Sequence, residues 1–362
     1  MSVSPQLQKA LHHFIMHAQG DFNTLAVALF NHQFERNRAY QGYCQRLGVN
    51  SAEIRHWTEI PTVPTDVFRH VQLFCGEPQQ ATVVFRTSGT TSGRRGEHYL
   101  RTLELYHASA RGSIDRFLLP DRLARPALML APPPEVLPDS SLSSMLGLIA
   151  RERAPRSTFA WCDGQLDLEQ ALEWLKTEEG SEQPVQVLAT SFALVELFDR
   201  MRALNTTVRL PQGSIVMPTG GTKGRTRAVS PDEVEQWIVE LLGVKANHVV
   251  SEYGMTELGS QFYDPRLART LSDDPSPPAR CLCGPPWCRV TVHDPHTLDR
   301  LPNGEVGLLR FTDLSNMDSV CSVQTSDRGR LLHSDATGDT LVLLGRSPGA
   351  RPSSSRQGPL SQ

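Results

Sequence analysis

No apolar run in the sequence approaches the roughly 20 residues that a membrane-spanning helix needs, so no such span is expected. The N-terminal MSVSPQLQKALHHF also lacks the apolar core of a signal peptide, which makes the cytoplasm the expected compartment. Excess charge of either sign is missing: 36 Lys and Arg against 39 Asp and Glu leave a formal net charge of −3. That balance gives no support for nucleic-acid binding. The seven cysteines are odd in number and irregularly spaced, without a CxxC pair, so reduced thiols are expected rather than a disulfide framework. The GxxxxGK[ST] spacing of a Walker loop and the GxSxG of a hydrolase elbow are both absent.

What the sequence does have is a run of hydroxyls, glycines and arginines after a short apolar stretch: Val83-Val84-Phe85-Arg86-Thr87-Ser88-Gly89-Thr90-Thr91-Ser92-Gly93-Arg94-Arg95-Gly96. Glycines let backbone N–H groups turn toward an anion, hydroxyls add donors and arginines add charge, which is the chemistry of a polyphosphate cradle. Alone, such a cluster also describes an ordinary surface loop. A second stretch, Val249-Val250-Ser251-Glu252-Tyr253-Gly254-Met255-Thr256-Glu257, runs from a β-branched segment into a turn that joins an aromatic, a glycine, a hydroxyl and a carboxylate. Tyr253 could stack on a base, Thr256 could donate to a phosphate oxygen, and Glu257 is a hard-oxygen ligand suited to Mg²⁺.

SGTTSG followed well downstream by YGMTE resembles the adenylate-forming superfamily of acyl-CoA synthetases. More closely, it resembles the acyl-protein synthetases, the long-chain fatty acid protein ligases of the bacterial bioluminescence reductase complex. The resemblance runs from about Ile60 to Arg346. It implies an α/β fold of the adenylate-forming large-domain type, with parallel-rich sheets, a helical N-terminal region and a β-rich C-terminal portion. The small C-terminal domain of the superfamily is expected to be truncated or absent. The corresponding domains are a helical region at 1–59, an AMP-binding domain at 60–346 whose β-rich part is 262–346, and a tail at 347–362 low in apolar residues and expected to be disordered.

Patterning along the chain fits this. Residues 5–48 carry helical spacing, Ile60 to Phe68 reads as extended and proline-set, and a helical pattern follows His98 and Tyr99 through about Leu118. Strand and helix signals then alternate: strands at 127–130, 185–189, 214–217 and 248–250, helices at 140–152, 166–177, 192–201 and 231–242. Such alternation places ligands at the carboxyl ends of parallel strands. Leu142, Met145, Leu146 and Ile149 could line an acyl pocket or simply pack a core, and Phe192 could cap a pocket or begin a helix. Further strands are expected at 289–293, 304–311 and 339–344.

The resemblance also implies roles. Thr87, Ser88, Gly89, Thr90, Thr91, Gly93 and Arg94 would hold phosphates, while Gly220, Gly221, Lys223, Tyr253 and Gly254 would surround the adenine. Asp327, in a T-x-D-x-G turn, would hold the ribose, and Arg346 would lie near the nucleotide. Thr256, Glu257 and Arg346 are the expected catalytic residues, with ATP and Mg²⁺ as cofactors and Glu257 as the metal ligand. The expected reaction is activation of a carboxylic acid, of the fatty class, to an acyl-adenylate, followed by transfer to a thiol on CoA or on a carrier or reductase protein. The tail offers Ser353, Ser354 and Ser355 where the resembled synthetases carry an acceptor cysteine. Two other readings compete: a catalytically weak relative serving as a nucleotide- or acyl-binding scaffold subunit, and a zinc-bound interaction module built on Cys281, Cys283 and Cys288 with His293 or His296. His12, His13 and His17 read as solvated or core-edge histidines, because no carboxylate or cysteine completes a metal site.

Overall fold

The computed structural model describes residues 4–88, 94–220, 229–272 and 280–346. Two compact units share them. One comprises residues up to Ser113, Met255–Gln261 and the chain from Cys281 onward, and the other comprises Ile114–Gly254 with Phe262–Arg280.

The first unit opens with helices α1 (Pro5–His17), α2 (Phe22–Arg36) and α3 (Arg38–Arg46), N-capped by the side chains of Ser4, Asp21 and Asn37. Strand β1 (Val63–Pro64) leads at once into a 3₁₀ helix, Thr65–Arg69. The extended reading of Ile60–Phe68 therefore fails beyond Pro64. The proline holds φ near −60° at the helix's N-cap, and Asp66 follows in its first turn. Strands β2 (Val83–Arg86) and β3 (Glu97–Leu100) form an antiparallel hairpin, and α4 (Glu104–Ser113) packs Tyr106 against its Phe85 and Leu100.

The chain then enters the second unit through a π-helical segment, Ile114–Leu118. Strand β4 (Ala127–Leu130), helix α5 (Ser141–Glu152), strand β5 (Ser157–Phe159) and a small hairpin of β6 (Trp161–Cys162) with β7 (Gln165–Leu166) come first. They are followed by α6 (Leu168–Glu179), β8 (Gln186–Thr190), α7 (Ser191–Ala203), β9 (Ile215–Thr219), α8 (Pro231–Leu242), β10 (Glu252–Tyr253), β11 (Phe262–Tyr263) and α9 (Arg266–Leu271). The sheet runs β5-β4-β8-β9-β10-β11, parallel except for β11. Its central strands β4, β8 and β9 are buried along nearly their whole length, as parallel strands covered by helices must be. Val234, Trp237, Ile238 and Leu241 recur at helical spacing on α8 and join its core. The strand expected at 248–250 is displaced: Ala246–His248 is 3₁₀, Val249 makes only an isolated bridge to Val216, and β10 begins at Glu252. A β-branched pair flanked by a single helical turn is too short to hold a ladder of its own.

Returning to the first unit, β12 (Leu282–Cys283), β13 (Cys288–His293), β14 (Gly307–Asp313), β15 (Ser322–Asp335) and β16 (Gly338–Arg346) form a sheet ordered β13-β14-β15-β16-β12. Val63 of β1 pairs in parallel with Val323 on β15. Asp327 lies within the long β15 at a register shift, not in a turn. The threonine explains this, because Thr325 Oγ1 accepts from the Asp327 N–H at 3.1 Å and so bulges the strand while it continues.

One close approach in this unit is exacting. A Cβ on Gly112 of α4 would lie 2.6 Å from the Trp287 ring, whose Nε1 donates to Ser109 Oγ at 2.8 Å. Gly112→Ala is therefore expected to destabilise the protein by about 1–3 kcal/mol through overpacking. Gly112→Ala with Trp287→Phe should cost less than the two single losses added together. Urea unfolding of the three variants checks this; strict additivity would show that the contact is not shared.

Candidate functional site

The hydroxyl–glycine loop joins the two strands of the β2–β3 hairpin, and its base is tightly closed. Thr87 Oγ1 accepts from the Gly96 N–H at 2.9 Å, while Arg95 donates through Nε to the Thr87 carbonyl at 2.7 Å and through a terminal nitrogen to the Arg86 carbonyl at 3.1 Å. Across the hairpin, Arg86 pairs with Glu97 at 3.0 Å, and Tyr99 donates to the second oxygen of Glu97. Thr87 and Arg95 thus close the loop, and Arg94 lies within the span they close. Of the expected phosphate-facing residues, Thr87, Ser88 and Arg94 are described, whereas Gly89, Thr90, Thr91 and Gly93 lie outside the described residues.

In the second unit the carboxyl ends of adjacent parallel strands carry Ser191 after β8, Gly220 after β9 and Tyr253 in β10. Ser191 Oγ donates to the Gly220 carbonyl at 2.7 Å, and Gly220 has φ +64°, with no atom of the described residues beyond its chain neighbours within 4 Å of where a Cβ would stand. A strand end that carries a glycine is the kind of surface on which a flat ring can lie. Gly221 and Lys223 lie outside the described residues. Beneath it, Glu252 is buried and accepts a very short hydrogen bond from the Thr219 hydroxyl, its register partner on β9. Burial outweighs that bond and pushes the Glu252 carboxyl from 4.5 up to about 7.

The TE half of the second motif belongs to the first unit, in the segment Met255–Gln261. Leu258 N–H donates to the Met255 carbonyl at 3.1 Å, so Thr256 and Glu257 form the corner of a β-turn. Both corner carbonyls are held from behind: His98 Nδ1 donates to Thr256 O at 2.7 Å, and Asn316 Nδ2 donates to Glu257 O at 2.9 Å. His98 lies on the buried face of β3 and is only 1% exposed; burial lowers its pKa, so the ring is neutral. Asn316 also donates to Val320 O, and its own carbonyl accepts from Gln33 of α2 at 2.7 Å. Farther along the segment, the buried carboxylate of Asp313 accepts from Gly259 N–H, Ser260 Oγ, Ser315 N–H and Ser315 Oγ at 2.6–3.0 Å. Gly259 is required there, since a Cβ would stand 2.4 Å from Ser315 Oγ.

Asp327 and Arg346 are register partners on β15 and β16, with Arg346 Nε 3.3 Å from Asp327 Oδ1. The arginine is largely exposed, so the pair contributes little to stability, at most about 1 kcal/mol. Cys281, Cys283 and Cys288 are all buried, and among the described residues no group of three His, Cys, Asp or Glu is placed to hold a metal ion. Cys283 Sγ instead lies 3.2 Å from Thr340 Oγ1. Met145 packs inside the second unit, where its sulfur accepts from Tyr263 OH at 3.5 Å. Sequence reasoning passed over His98, Asn316, Asp313 and Glu252. The available signal was a polar or ionisable residue at an inward position of an apolar strand, as in Glu97-His98-Tyr99-Leu100 and in Phe311-Thr312-Asp313.

In sequence, the chain is similar to a long-chain-fatty-acid–luciferin-component ligase of Vibrio harveyi, 21% identical over 335 residues that make up 89% of this chain and 82% of that protein. A ligase of the same name from Aliivibrio fischeri is 21% identical over 311 residues, 83% of this chain and 76% of its own. In structure, it is similar to 2-hydroxyisobutyryl-CoA ligase in an open conformation with 2-HIB-AMP and CoA. There the TM-score is 0.65 and the identity 15%, over 90% of this chain and 69% of that one. The postadenylation state of the same ligase gives 0.64 and 16%, over 90% and 67%. No protein-family model matches the chain. The α/β fold is thus that of adenylate-forming ligases, and the resemblance drawn from SGTTSG and YGMTE holds. Among the described residues no helix is long and apolar enough to cross a membrane.

The raised carboxyl of Glu252 predicts a pH dependence. The folded protein holds this proton up to about pH 7, whereas an exposed glutamate releases it near 4.5. The stability this group contributes is therefore full below pH 4.5 and lost as pH rises through 7, by about 3 kcal/mol at ~1.4 kcal/mol per pH unit. Glu252→Gln should remove that part of the slope. Chemical denaturation at pH 5 and pH 8 checks it: the difference between variant and parent should grow in the variant's favour at pH 8.

Proposed function

We propose that this chain uses ATP to activate a carboxylic acid of the long-chain fatty class to an acyl-adenylate and then passes the acyl group to a thiol on a protein or on CoA. What carries the reading is the likeness, over nearly nine-tenths of the chain, to a ligase named for a long-chain fatty acid, on a fold shared with an acyl-CoA ligase. In the first step a carboxylate oxygen attacks the α-phosphorus, the bond from that phosphorus to the β-phosphate bridge breaks, and pyrophosphate leaves. An ionised acid needs no general base, so the protein's task is positioning and charge neutralisation. Thr256 donates its hydroxyl to the α-phosphate, while Ser88, Arg94 and the loop residues Gly89, Thr90, Thr91 and Gly93 cradle the remaining phosphates. Gly220, Gly221, Tyr253 and Gly254 receive the adenine, Asp327 the ribose, and Lys223 and Arg346 supply positive charge.

The donor set suits Mg²⁺. Glu257 offers a carboxylate of the hard-oxygen type, and Mg²⁺ on a triphosphate takes one or two carboxylates together with phosphate oxygens and water, not an all-protein cage. Bound there, the ion would neutralise charge on the phosphates. In the second step the sulfur of an external thiol, of a carrier or reductase protein or of CoA, attacks the acyl carbonyl, the acyl–O bond to the phosphate breaks, AMP leaves, and the thiol proton passes to solvent.

Carboxylate-dependent ATP–pyrophosphate exchange tests the reading across short, long-chain and aromatic acids. Long-chain acids should support exchange, and Glu257→Gln should lower it by about 100-fold or more. Absence of exchange with every acid, in folded protein that still binds ATP, would overturn the activation step and favour a nucleotide-binding subunit.

A further inference from the structure

The turn Met255–Leu258 contains one peptide whose orientation its ends do not determine. With Met255 O and Leu258 N–H bonded, the central peptide, made of Thr256 C=O and Glu257 N–H, can rotate by about 180° and interconvert type I and type II turns. In a trans peptide the two groups point opposite ways, so turning the carbonyl also turns the N–H and re-aims both corner side chains. Glu257 does not have positive φ, which places the turn on the type I side. Its Cβ already resists the flipped form.

His98 adds a stronger restraint. Its ring is almost wholly buried on β3, opposite Phe85 and edge-on to Phe68 at 6.0 Å, with the Asn316 side chain beside it. A carbonyl accepts from Nδ1, so Nδ1 carries the proton of the neutral ring. Flipping the central peptide would bring Glu257 N–H toward Nδ1–H, donor against donor, and leave both unsatisfied in a buried place. Asn316 fixes the adjoining carbonyl, so the two peptides after Thr256 and Glu257 are each held by a side chain.

We propose that His98 is a positioning residue that latches the central peptide of this turn and so sets the directions in which Thr256 and Glu257 face. The inference rests on the reading above of those two residues as the phosphate- and metal-facing pair. His98 acts through the turn and touches no substrate. The latch itself is one donor at the Nδ1 position.

That requirement gives the test. The carboxamide nitrogen of Asn overlays Nδ1, whereas that of Gln reaches toward Nε2, and Leu fills the space without a donor. In pyrophosphate exchange, His98→Asn should keep kcat within about 3-fold of the parent. His98→Gln and His98→Leu should lose about 10- to 100-fold in kcat with KM for the acid little changed. A His98→Asn variant as impaired as His98→Gln, or a loss confined to KM, would overturn the latch. Amide hydrogen exchange over residues 250–262 separates this inference from the function it rests on. Protection in the turn should be kept in the parent and His98→Asn and lost about 10-fold in His98→Gln. If the parent catalyses no exchange with any acid, the function falls, and equal protection in all variants would still overturn the latch on its own.

Discussion

Asp313 ends strand β14 with no exposure to solvent, and a carboxylate in that position costs several kcal/mol unless donors surround it. The donors it gathers come from two loops, Gly259–Ser260 and Ser315, so satisfying one buried acid ties the segment that carries Thr256 and Glu257 to the sheet. Ser260 continues the network to Ser109 at 3.0 Å, and Ser109 in turn accepts from Trp287. A polar network of this kind is stable only when it is complete, which is why Gly259 and Gly112, whose missing Cβ atoms make room for it, are as constrained as the polar residues.

The loop after β14 extends that logic. Asn316 through Cys321 meets Gln33 and Asn37 of α2 and its cap, and Asp318 binds Arg101 beyond β3. The N-terminal helices therefore do more than cover apolar surface. Gln33 holds Asn316, Asn316 holds the Glu257 carbonyl, and the geometry of the turn is set partly by a helix whose residues lie far away in the sequence.

Much of this architecture was legible. The helices of the N-terminal region, the alternating strands and helices from Ala127 to Leu242, and the strands from Cys288 onward follow from apolar periodicity and capping residues. Legibility failed where a short-range detail overrode the broader pattern: at Thr65, where a proline cap started a 3₁₀ turn, at Val249, where the strand shifted to Glu252, and at Asp327, where a threonine hydroxyl turned an apparent turn into a bulge. The candidate site divides in the same way. Thr256, Glu257, Gly220 and Tyr253 announce their chemistry by residue type and neighbours. His98, Asn316 and Asp313 act through contacts between positions more than fifty residues apart, which no local spacing encodes.

The first unit is assembled from three separate pieces of chain, and this bears on its synthesis. Gln33 meets Asn316 across a separation of 283 residues, so the N-terminal helices leave the ribosome long before the loop that satisfies their inward-facing amides exists. At the roughly 5–20 residues per second of translation, that interval is on the order of 15–60 s. Throughout it, α1 to α3 must wait as an incomplete surface while the whole of the second unit emerges and has time to fold. The oldest end of the nascent chain is thus the part that waits longest for its buried polar partners.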